Sequence, residues 1–137
     1  MSEPLLLDTC AVLWIAQGEL LSDEAEAGIE AARAARRPIS VSPITAWEVG
    51  LLAARGRIAI SRDIDVWFAD LLALGFELAP LPPQTLIASS FLPGAAPRDP
   101  ADRILAATAR RLNARLVTRD QVLLDYAQAG HLSALAC

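Results

Sequence analysis

Four of the sixteen acidic residues occupy positions that a solvated helix face does not explain: Asp8, Glu48, Asp102 and Asp120. A lone carboxylate buried among apolar side chains costs on the order of several kcal/mol, or it stays protonated. Several carboxylates brought together repel one another unless a cation lies among them. Because oxygen ligands select hard ions, such a group would bind Mg²⁺ or Mn²⁺ rather than zinc. These acids therefore indicate a metal site if the fold brings them together.

Each acid also has a structural interpretation that involves no metal. Asp8, Asp99 and Asp120 stand where they can cap the helix that follows, and Asp102 is favourable in a first helical turn. Glu48 falls on the apolar stripe of its helix, and a small rotation of that helix would carry it to water at the edge of the stripe. Capping alone accounts for Asp99, Asp102 and Asp120, so the arrangement of the elements decides between the interpretations.

Short apolar runs alternate with helical segments along the chain, which indicates an α/β fold. We predict strands at Leu5–Leu7, Ile39–Val41, Phe76–Leu81 and Arg115–Thr118, with an edge strand or a tail at residues 131–137. Strands that are apolar throughout are buried on both faces, as in a parallel sheet covered by helices on each side. The expected architecture is a three-layer α/β/α domain with a central parallel sheet of four to five strands.

Capping residues, prolines and glycines set the limits of the helices between these strands. We predict helices at Cys10–Gln17, from a Ser22 cap to before Pro38, from Pro43 to about Arg55, from a Ser61 cap to Gly75, from Pro83 to about Phe91, at Pro100–Leu112 and at Gln121–Ala129. Right-handed crossovers bring the carboxyl ends of parallel strands to one edge, where ligands bind. Asp8 and Asp120 follow two strand ends, and Glu48 and Asp102 lie on helices that reach this edge. The four acids are therefore expected to converge.

Composition bounds the domain count and the cellular setting. The 137 residues are 54% hydrophobic with a formal net charge of -4, which fits one folded domain over residues 1–137 and excludes a disordered chain. Two cysteines exclude a disulfide framework or a thiolate zinc site. We expect neither a secretory signal nor a membrane span, and hence a cytoplasmic protein. The twelve basic residues are all Arg, and a pI near 4.9 argues against binding nucleic acid by bulk positive charge.

Four motifs, taken in order, are similar to those of a known family: Leu7-Asp8-Thr9, Trp47-Glu48-Val49, Asp99-Pro100-Ala101-Asp102-Arg103 and Val117-Thr118-Arg119-Asp120. They resemble the PIN-domain ribonucleases, and in particular the VapC-type toxins of bacterial toxin-antitoxin operons. The most specific part is D-x-x-D-R followed by T-x-D, with Asp120 eighteen residues after Asp102. The likeness extends over nearly the whole chain, so it implies a single PIN domain.

The resemblance implies a role for each matching residue. The catalytic acids would be Asp8, Glu48, Asp102 and Asp120, of which Asp8, Asp102 and Asp120 would bind the metal. Supporting roles fall to Thr118, Thr9 and Asp99, the last mainly as a helix cap. Phosphate contacts with RNA fall to Arg98, Arg103 and Arg119, and Arg110, Arg111 and Arg115 are close to them in sequence. No expected acid is missing, so the resemblance implies an active enzyme.

The implied activity is metal-dependent endonucleolytic hydrolysis of RNA. Mg²⁺, or Mn²⁺ as a substitute, would lower the pKa of a bound water and neutralise charge on the phosphoryl oxygens, leaving a 5′-phosphate and a 3′-hydroxyl. The implied partners are a cognate antitoxin, an RNA substrate (tRNA, rRNA or mRNA) and a second copy of the chain in a homodimer. No membrane partner is expected.

Three other classes fit parts of the pattern. A phosphoacceptor receiver domain also gathers acids around Mg²⁺ at strand ends, but it needs a Lys, and this chain has none. A haloacid-dehalogenase-type phosphatase needs a Lys too, as well as an acid where Cys10 stands. The stronger alternative is a catalytically weak PIN-fold module that binds RNA or protein. Such a module would hold RNA equally well in Mg²⁺ or in a chelator.

Overall fold

The computed structural model describes residues 3–137 and contains a five-stranded sheet. Its strands are β1 Leu5–Leu7, β2 Ile39–Val41, β3 Glu77–Leu78, β4 Arg115–Thr118 and β5 Ala134–Ala136. They lie in the order β3-β2-β1-β4-β5, and each neighbouring pair is parallel. The central strand β1 pairs with both β2 and β4, which explains why all three of its leucines are buried.

Helices cover both faces of this sheet. In the described residues they are α1 Thr9–Ala16, α2 Asp23–Ala34, α3 Pro43–Ala54, α4 Ile64–Ala73, α5 Pro83–Ala88, α6 Pro100–Leu112 and α7 Gln121–Gln128. Helices α1, α2 and α4 contribute to the core on one face, and α6 and α7 to the core on the other. The predicted three-layer α/β/α fold around a parallel sheet is thus confirmed. No helix within residues 3–137 is long and apolar enough to cross a membrane.

Alternation along the strands divides the core in two. Leu5 and Leu7 belong to the cluster with α1, α2 and α4, whereas Leu6 packs with α6 and α7. This follows from the geometry of a strand, in which successive side chains point to opposite faces. The register of β1 against β4 sets Leu7 opposite Val117. The residues that come next, Asp8 and Thr118, therefore lie side by side at the carboxyl edge of the sheet.

Three predicted helix limits are wrong. The second helix ends at Ala34 rather than just before Pro38, and Arg36 has a left-handed backbone conformation with φ 55°. The fourth helix begins after Asp63, not after a Ser61 cap, and the Asp63 side chain makes no capping hydrogen bond either. The apolar stripe from Ile64 onward thus starts the helix without a side-chain cap, because packing of that stripe can supply the stability that a cap would otherwise give. Helix α5 ends at Ala88 rather than near Phe91, since the chain leaves the helix at Ser89 and turns.

The third predicted strand is also too long. It was expected from Phe76 to Leu81, but β3 covers only Glu77–Leu78. Both residues of β3 are exposed, and the strand pairs only with β2, so it is an edge strand. Pro80 ends the pairing because proline has no N–H to donate to the ladder.

Candidate active site

Asp8 lies at the carboxyl end of β1 and is buried, with 5% of its surface exposed. Its Oδ1 accepts a hydrogen bond from the Ala11 backbone N–H at 2.7 Å, and its Oδ2 accepts one from the Thr118 hydroxyl at 2.6 Å. Thr118 Oγ1 in turn accepts a hydrogen bond from the Asp120 backbone N–H at 3.1 Å. The ends of two neighbouring strands thus fix the orientation of the Asp8 carboxylate and connect it to Asp120.

The pKa of Asp8 is raised above its ordinary value. Burial is the largest cause, the hydrogen bonds from Thr118 and Ala11 lower the pKa in part, and the charge of Asp120 raises it again. The same residue also caps α1, as one structural interpretation predicted. Capping and metal binding are compatible, because a carboxylate has about four acceptor positions and these two hydrogen bonds use two of them.

Glu48 reaches the same edge from α3, and a hydroxyl group holds its carboxylate. Thr9 Oγ1 donates to Glu48 Oε1 at 2.5 Å and lies 3.1 Å from Thr45 Oγ1. Burial raises the pKa of Glu48, the Thr9 hydrogen bond lowers it, and the charges of Asp99 and Asp8 raise it further. The half-buried carboxylate is therefore compensated by Thr9, which follows Asp8 directly in the chain.

Thr45 is a site residue that the sequence interpretation missed. It is wholly buried, and its hydroxyl oxygen lies beside that of Thr9. A signal for it was present, since Thr45 precedes Glu48 by three residues and so lies on the same side of α3. Thr45 therefore extends the chain of hydrogen bonds that runs from the Glu48 carboxylate through the Thr9 hydroxyl.

Asp102 lies in the first turn of α6 and is half-buried. Asp99 caps this helix, accepting a hydrogen bond from the Asp102 backbone N–H at 3.0 Å. The pKa of Asp102 is raised to about 7, mainly by burial and in smaller part by the charges of Asp99, Asp120, Glu48 and Asp8. The charge of every other predicted acid therefore raises the pKa of this one carboxyl group. The fold brings together the acids that the sequence pattern singled out.

Three helices begin at this group of acids. Asp120 caps α7, its Oδ1 accepting from the Val122 and Leu123 backbone N–H groups at 2.8 and 3.2 Å. Asp8 and Asp99 cap α1 and α6 in the same way. The positive ends of three helix dipoles therefore lie at the carboxyl edge and offset part of the repulsion among the carboxylates. The charges of the neighbouring acids still contribute, after burial, to the raised pKa of Asp102.

The donors at this edge fit a partly hydrated divalent cation. They are carboxylate and hydroxyl oxygens, which hard ions prefer. In the part of the chain that the structure describes, no three acidic, histidine or cysteine side chains stand so as to enclose an ion by themselves. Mg²⁺ suits an open site of this kind because it keeps several waters and takes one or two carboxylates from the protein. Burial is the main cause of the raised pKa of Asp102, and a cation here would remove the second cause, which is repulsion by the neighbouring carboxylates.

Arg98 and Arg119 differ in the contacts that their side chains make within the protein. Arg98 is exposed at the end of the segment that precedes α6. Arg119 donates from Nε to the Cys137 carbonyl oxygen at 2.8 Å, and its guanidinium carbon lies 3.4 Å from the centre of a Trp14 ring. The stacking and the hydrogen bond connect Cys137, the residue after β5, to Trp14 in α1, so Arg119 has a structural role in the fold. Contact of either arginine with RNA stays a prediction.

Arg103 holds the segment between α5 and α6. Its Nε and Nη1 each donate at 2.8 Å, to the carbonyl oxygens of Ser89 and Pro97. Tyr126 adds a third anchor, because its hydroxyl donates to the Pro93 carbonyl oxygen at 2.6 Å. These contacts fix the segment that leads into Asp99, the cap of α6. In this geometry Arg103 donates to backbone carbonyl oxygens. Its predicted contact with phosphate is not tested and stays a prediction.

Replacing Arg103 by Met should therefore reduce stability. The change keeps the aliphatic length and removes two charge-assisted hydrogen bonds, for an expected loss of about 2 kcal/mol in the free energy of unfolding. Urea denaturation measures the loss. Arg98→Met is the matched control, since Arg98 is exposed, and it should leave the midpoint unchanged. Equal midpoints for the two variants would show that the Ser89 and Pro97 contacts contribute nothing.

Arg110, Arg111 and Arg115 do not lie beside the acids, although they are close to Asp102 and Asp120 in sequence. Arg110 and Arg111 are in the last turn of α6, whose first turn holds Asp102, and Arg115 is the first residue of β4. Helix α6 runs antiparallel to the strands, so its last turn is at the opposite edge of the sheet. Closeness in sequence to Asp102 and Asp120 therefore does not bring these three arginines to the acids.

The comparison with known families agrees with the geometry. The family model of the PIN domain matches residues 5–129. The chain therefore belongs to the PIN domain family. Its sequence is 32% identical over 126 residues to Ribonuclease VapC22 of Mycobacterium tuberculosis (strain ATCC 25618 / H37Rv), covering 92% of this chain and 93% of that protein. The VapC-type resemblance found in the motifs is confirmed.

Solved structures share the fold at low sequence identity. VapBC2 from Rickettsia felis, bound to a DNA fragment from their promoter, superposes with a TM-score of 0.66 and 15% identity over 96% of this chain and 97% of that one. FitAB bound to an IR36 DNA fragment gives a TM-score of 0.61 and 17% identity over 96% and 94%. At such identities the likeness establishes the fold alone.

Proposed function

We propose that this protein is a metal-dependent endoribonuclease and the toxin of a type II toxin-antitoxin pair. The observation that carries the proposal is the convergence of four acids on one edge of the sheet, where the charges of Asp8, Glu48 and Asp120 all act on Asp102. Ribonuclease VapC22, which matches this chain over most of its length, supports RNA as the substrate. We also propose that residues 1–137 act as one domain in the cytoplasm.

Asp8, Asp102 and Asp120 would hold Mg²⁺, with Mn²⁺ as a substitute. When bound, the ion would neutralise charge on the scissile phosphate and lower the pKa of a water molecule. Within residues 3–137 the three carboxylates do not yet enclose an ion, so they must move closer together around it, but two of them are already held by hydrogen bonds. Asp8 is already oriented by two hydrogen bonds and Asp120 by two backbone N–H groups. Preorganisation of this kind reduces the cost of assembling the site.

Glu48 would accept the proton of the attacking water. Thr9 holds its Oε1, which leaves Oε2 as the acceptor. Burial, the largest cause, raises the pKa of Glu48, which makes the carboxylate a better base than an exposed glutamate. The expected products carry a 5′-phosphate and a 3′-hydroxyl. Thr9 and Thr118 act as positioning residues, and Asp99 acts through the helix that it caps.

A protein partner and a second copy of the chain complete the proposal. The structural relatives VapBC2 and FitAB support a cognate antitoxin as the partner. The chain has apolar surface for such contacts, since Trp47 is 56% exposed and Phe91 is 80% exposed. Exposed aromatic side chains of this size commonly mark interfaces. The RNA substrate would be a tRNA, an rRNA or an mRNA.

Cleavage of total tRNA by the purified protein tests the proposal. Any small protein that co-purifies is first removed under denaturing conditions, and the chain is refolded. We expect cleavage in Mg²⁺ or Mn²⁺ and none in EDTA, because the four acids need a cation to act on phosphate. RNA that is bound equally well in Mg²⁺ and EDTA, and never cut, would favour a catalytically weak binding module instead.

Thr118→Val tests the support of the metal-binding acids. The change keeps the shape of the side chain and removes the hydroxyl that donates to Asp8 and accepts from Asp120. Loss of such a supporting hydrogen bond typically costs about 10- to 100-fold in activity or metal affinity. Cleavage rates at several Mg²⁺ concentrations measure it, and a higher Mg²⁺ requirement is expected.

Thr108→Val provides the control for that experiment. Thr108 is equally buried, but its hydroxyl donates to the Ile104 carbonyl oxygen within α6. This variant should cleave at the wild-type rate with the wild-type Mg²⁺ requirement. If both variants lost activity to the same extent, general destabilisation would be the cause, and Thr118 would have no special role.

A further inference from the structure

Residues 89–99, which connect α5 to α6, are attached to the rest of the molecule at several points, and we call them the α5–α6 segment. Arg103 and Tyr126 hold three of its carbonyl oxygens, those of Ser89, Pro93 and Pro97. Leu92 is half-buried and packs against the core cluster that includes Tyr126. The backbone on both sides of Phe91 is therefore held in place.

Phe91 is the most exposed aromatic side chain within residues 3–137. Its side chain is 80% exposed, although Leu92, the next residue, packs inward. Single exposed apolar side chains are common on protein surfaces, so exposure alone assigns no role to Phe91. Its position decides the matter, because this ring stands in water on a segment that is itself firmly attached.

The α5–α6 segment leads directly to the acids. Ser89 is bonded to Arg103, which follows Asp102 in the chain. Two residues of chain span at most about 7 Å, so Phe91 lies near the start of α6. Burial is the main cause of the raised pKa of Asp102, and the charge of Asp99, at the end of the segment, is the next. One bound RNA can therefore reach both the acids and Phe91.

The charge of the segment suits a nucleic acid. Residues 89–98 contain no acidic residue and one basic residue, Arg98, whose side chain is exposed. Proteins bind single-stranded nucleic acids with cations that contact the phosphates and with aromatic rings that stack on the bases. A metal ion at the acids would hold a phosphate, and phosphate contacts carry no information about the bases. Phe91 and Arg98 supply the two kinds of contact that a single strand needs beside that ion.

We propose that Phe91 stacks on an unpaired base of the RNA close to the nucleotide that is cut, and that Arg98 contacts a phosphate of the same stretch. This inference rests on the proposed ribonuclease function. A base inside a duplex is stacked on its neighbours, so only a loop, a bulge or an end can offer its face to Phe91. The ring would therefore direct cleavage to unpaired positions of a structured RNA.

Binding of two labelled RNAs to the Asp8→Asn chain in Mg²⁺ tests the proposal. One RNA is a hairpin with a single-stranded loop, and the other is a blunt duplex of equal length. Adding Phe91→Ala to this chain should weaken hairpin binding by about 5- to 100-fold, which is the usual contribution of one base stacked on an aromatic ring. Binding of the duplex should change by less than about twofold, because its bases are not free to stack.

Two further substitutions at the same position separate stacking from simple apolar contact. Phe91→Tyr keeps an aromatic ring and should bind the hairpin as the Asp8→Asn chain does. Phe91→Leu keeps an apolar side chain without a flat ring and should be weakened as Phe91→Ala is. Full binding by Phe91→Leu would overturn the stacking of a base. An equal loss of hairpin and duplex binding in Phe91→Ala would overturn the selection of unpaired positions.

Ile87→Ala is the matched control. Ile87 is 62% exposed and lies in α5, four residues before Phe91. This variant should bind both RNAs as the Asp8→Asn chain does, and all the variants should keep its melting temperature because the side chains are exposed. Equal weakening by Ile87→Ala and Phe91→Ala would assign the effect to a shared apolar surface and overturn the proposal. Unchanged hairpin binding in Phe91→Ala would overturn it too and leave Phe91 for contact with a protein partner.

A fluorescent purine analogue placed at each loop position gives a readout that a merely structural role of Phe91 would not change. Stacking on the ring should alter the fluorescence of the analogue at one position when the Asp8→Asn chain is saturating. The change should be absent with Phe91→Ala at saturation. An equal change at every loop position, or the same change in both proteins, would contradict a base held by Phe91.

Cleavage of the hairpin by the chain with Asp8 intact is measured in parallel. A hairpin that is bound through Phe91 but not cut in Mg²⁺ or Mn²⁺ would overturn the proposed function and leave the stacking in place. A hairpin that is cut in its loop, and is bound and cut equally well after Phe91→Ala, would do the reverse. The two proposals can therefore fail independently.

Discussion

The Asp8→Asn variant is expected to lose cleavage activity by at least about 10³-fold while it stays folded, because the change removes a charge from the metal site and keeps the shape of the side chain. The amide oxygen can still cap α1 by accepting from the Ala11 N–H. The amide nitrogen would face Thr118 Oγ1, which can accept a hydrogen bond. The variant should therefore lose the chemistry of the site and keep its geometry.

The stability of this variant separates a catalytic role from a structural one. Burial raises the pKa of Asp8, so the charged carboxylate is disfavoured in the folded chain. Its removal should leave the melting temperature in EDTA equal to or above that of the wild type. Asp125→Asn is the control, since Asp125 is exposed and accepts a hydrogen bond from the Gln121 side chain, and it should cleave at the wild-type rate. More than about a tenth of the wild-type activity in Asp8→Asn would refute its place in the site.

The convergence of the acids could be predicted because each is tied to a local signal. Leu5–Leu7 is short and apolar throughout, which predicts a buried parallel strand, and Asp8 follows it directly. Asp99 and Asp120 carry the marks of helix caps, and both do cap helices. Topology then brings strand ends and helix starts to one edge. The capping and metal-site interpretations of these acids do not compete. An acid that caps one of these helices also has its carboxylate at the edge where a metal would bind.

Other features depend on contacts that sequence spacing does not encode. The hydrogen bond from Thr118 to Asp8 requires the register of β1 against β4, which no local pattern specifies. Arg103 follows Asp102 directly in the sequence motif. Its side chain nevertheless donates hydrogen bonds to backbone carbonyl oxygens of the segment between α5 and α6. The direction of α6 separates Arg110 from the acids by the length of the helix. Sequence proximity is a poor guide to which end of a helix meets a site.

The same topology also separates acidic from basic residues, so that they lie at opposite edges of the sheet. In a parallel sheet with helical crossovers, every strand begins at one edge and ends at the other. Caps with carboxylates collect where helices start, and arginines that favour helix ends collect where helices finish. Asp99 and Arg111 stand at opposite ends of α6 in this way. Helix preferences alone are therefore enough to separate carboxylates from arginines in this fold.

In the absence of a divalent cation, stability should fall as the pH rises from about 4 to above 7. The pKa of Asp102 is raised from 3.8 to about 7, so between these values the folded chain binds more protons than the unfolded chain. Stability decreases with pH wherever the folded state binds more protons. The raised pKa values of Asp8 and Glu48 act in the same direction. Because Asp102 is half-exposed, solvent screening limits its share to about 1–2 kcal/mol, or roughly 3–10 °C in melting temperature.

Melting temperatures between pH 5 and pH 8, in EDTA and in Mg²⁺, measure this effect. Asp102→Asn should flatten the decline in EDTA, and Asp125→Asn should leave it as in the wild type. Mg²⁺ should stabilise the wild type more at pH 8 than at pH 6, since binding at low pH must first displace a proton from the acids. A melting temperature in EDTA that rises from pH 5 to pH 8 would contradict the mutual repulsion of the four acids. The same cation would then have no repulsion to relieve, and the argument for a metal at this edge would lose its electrostatic basis.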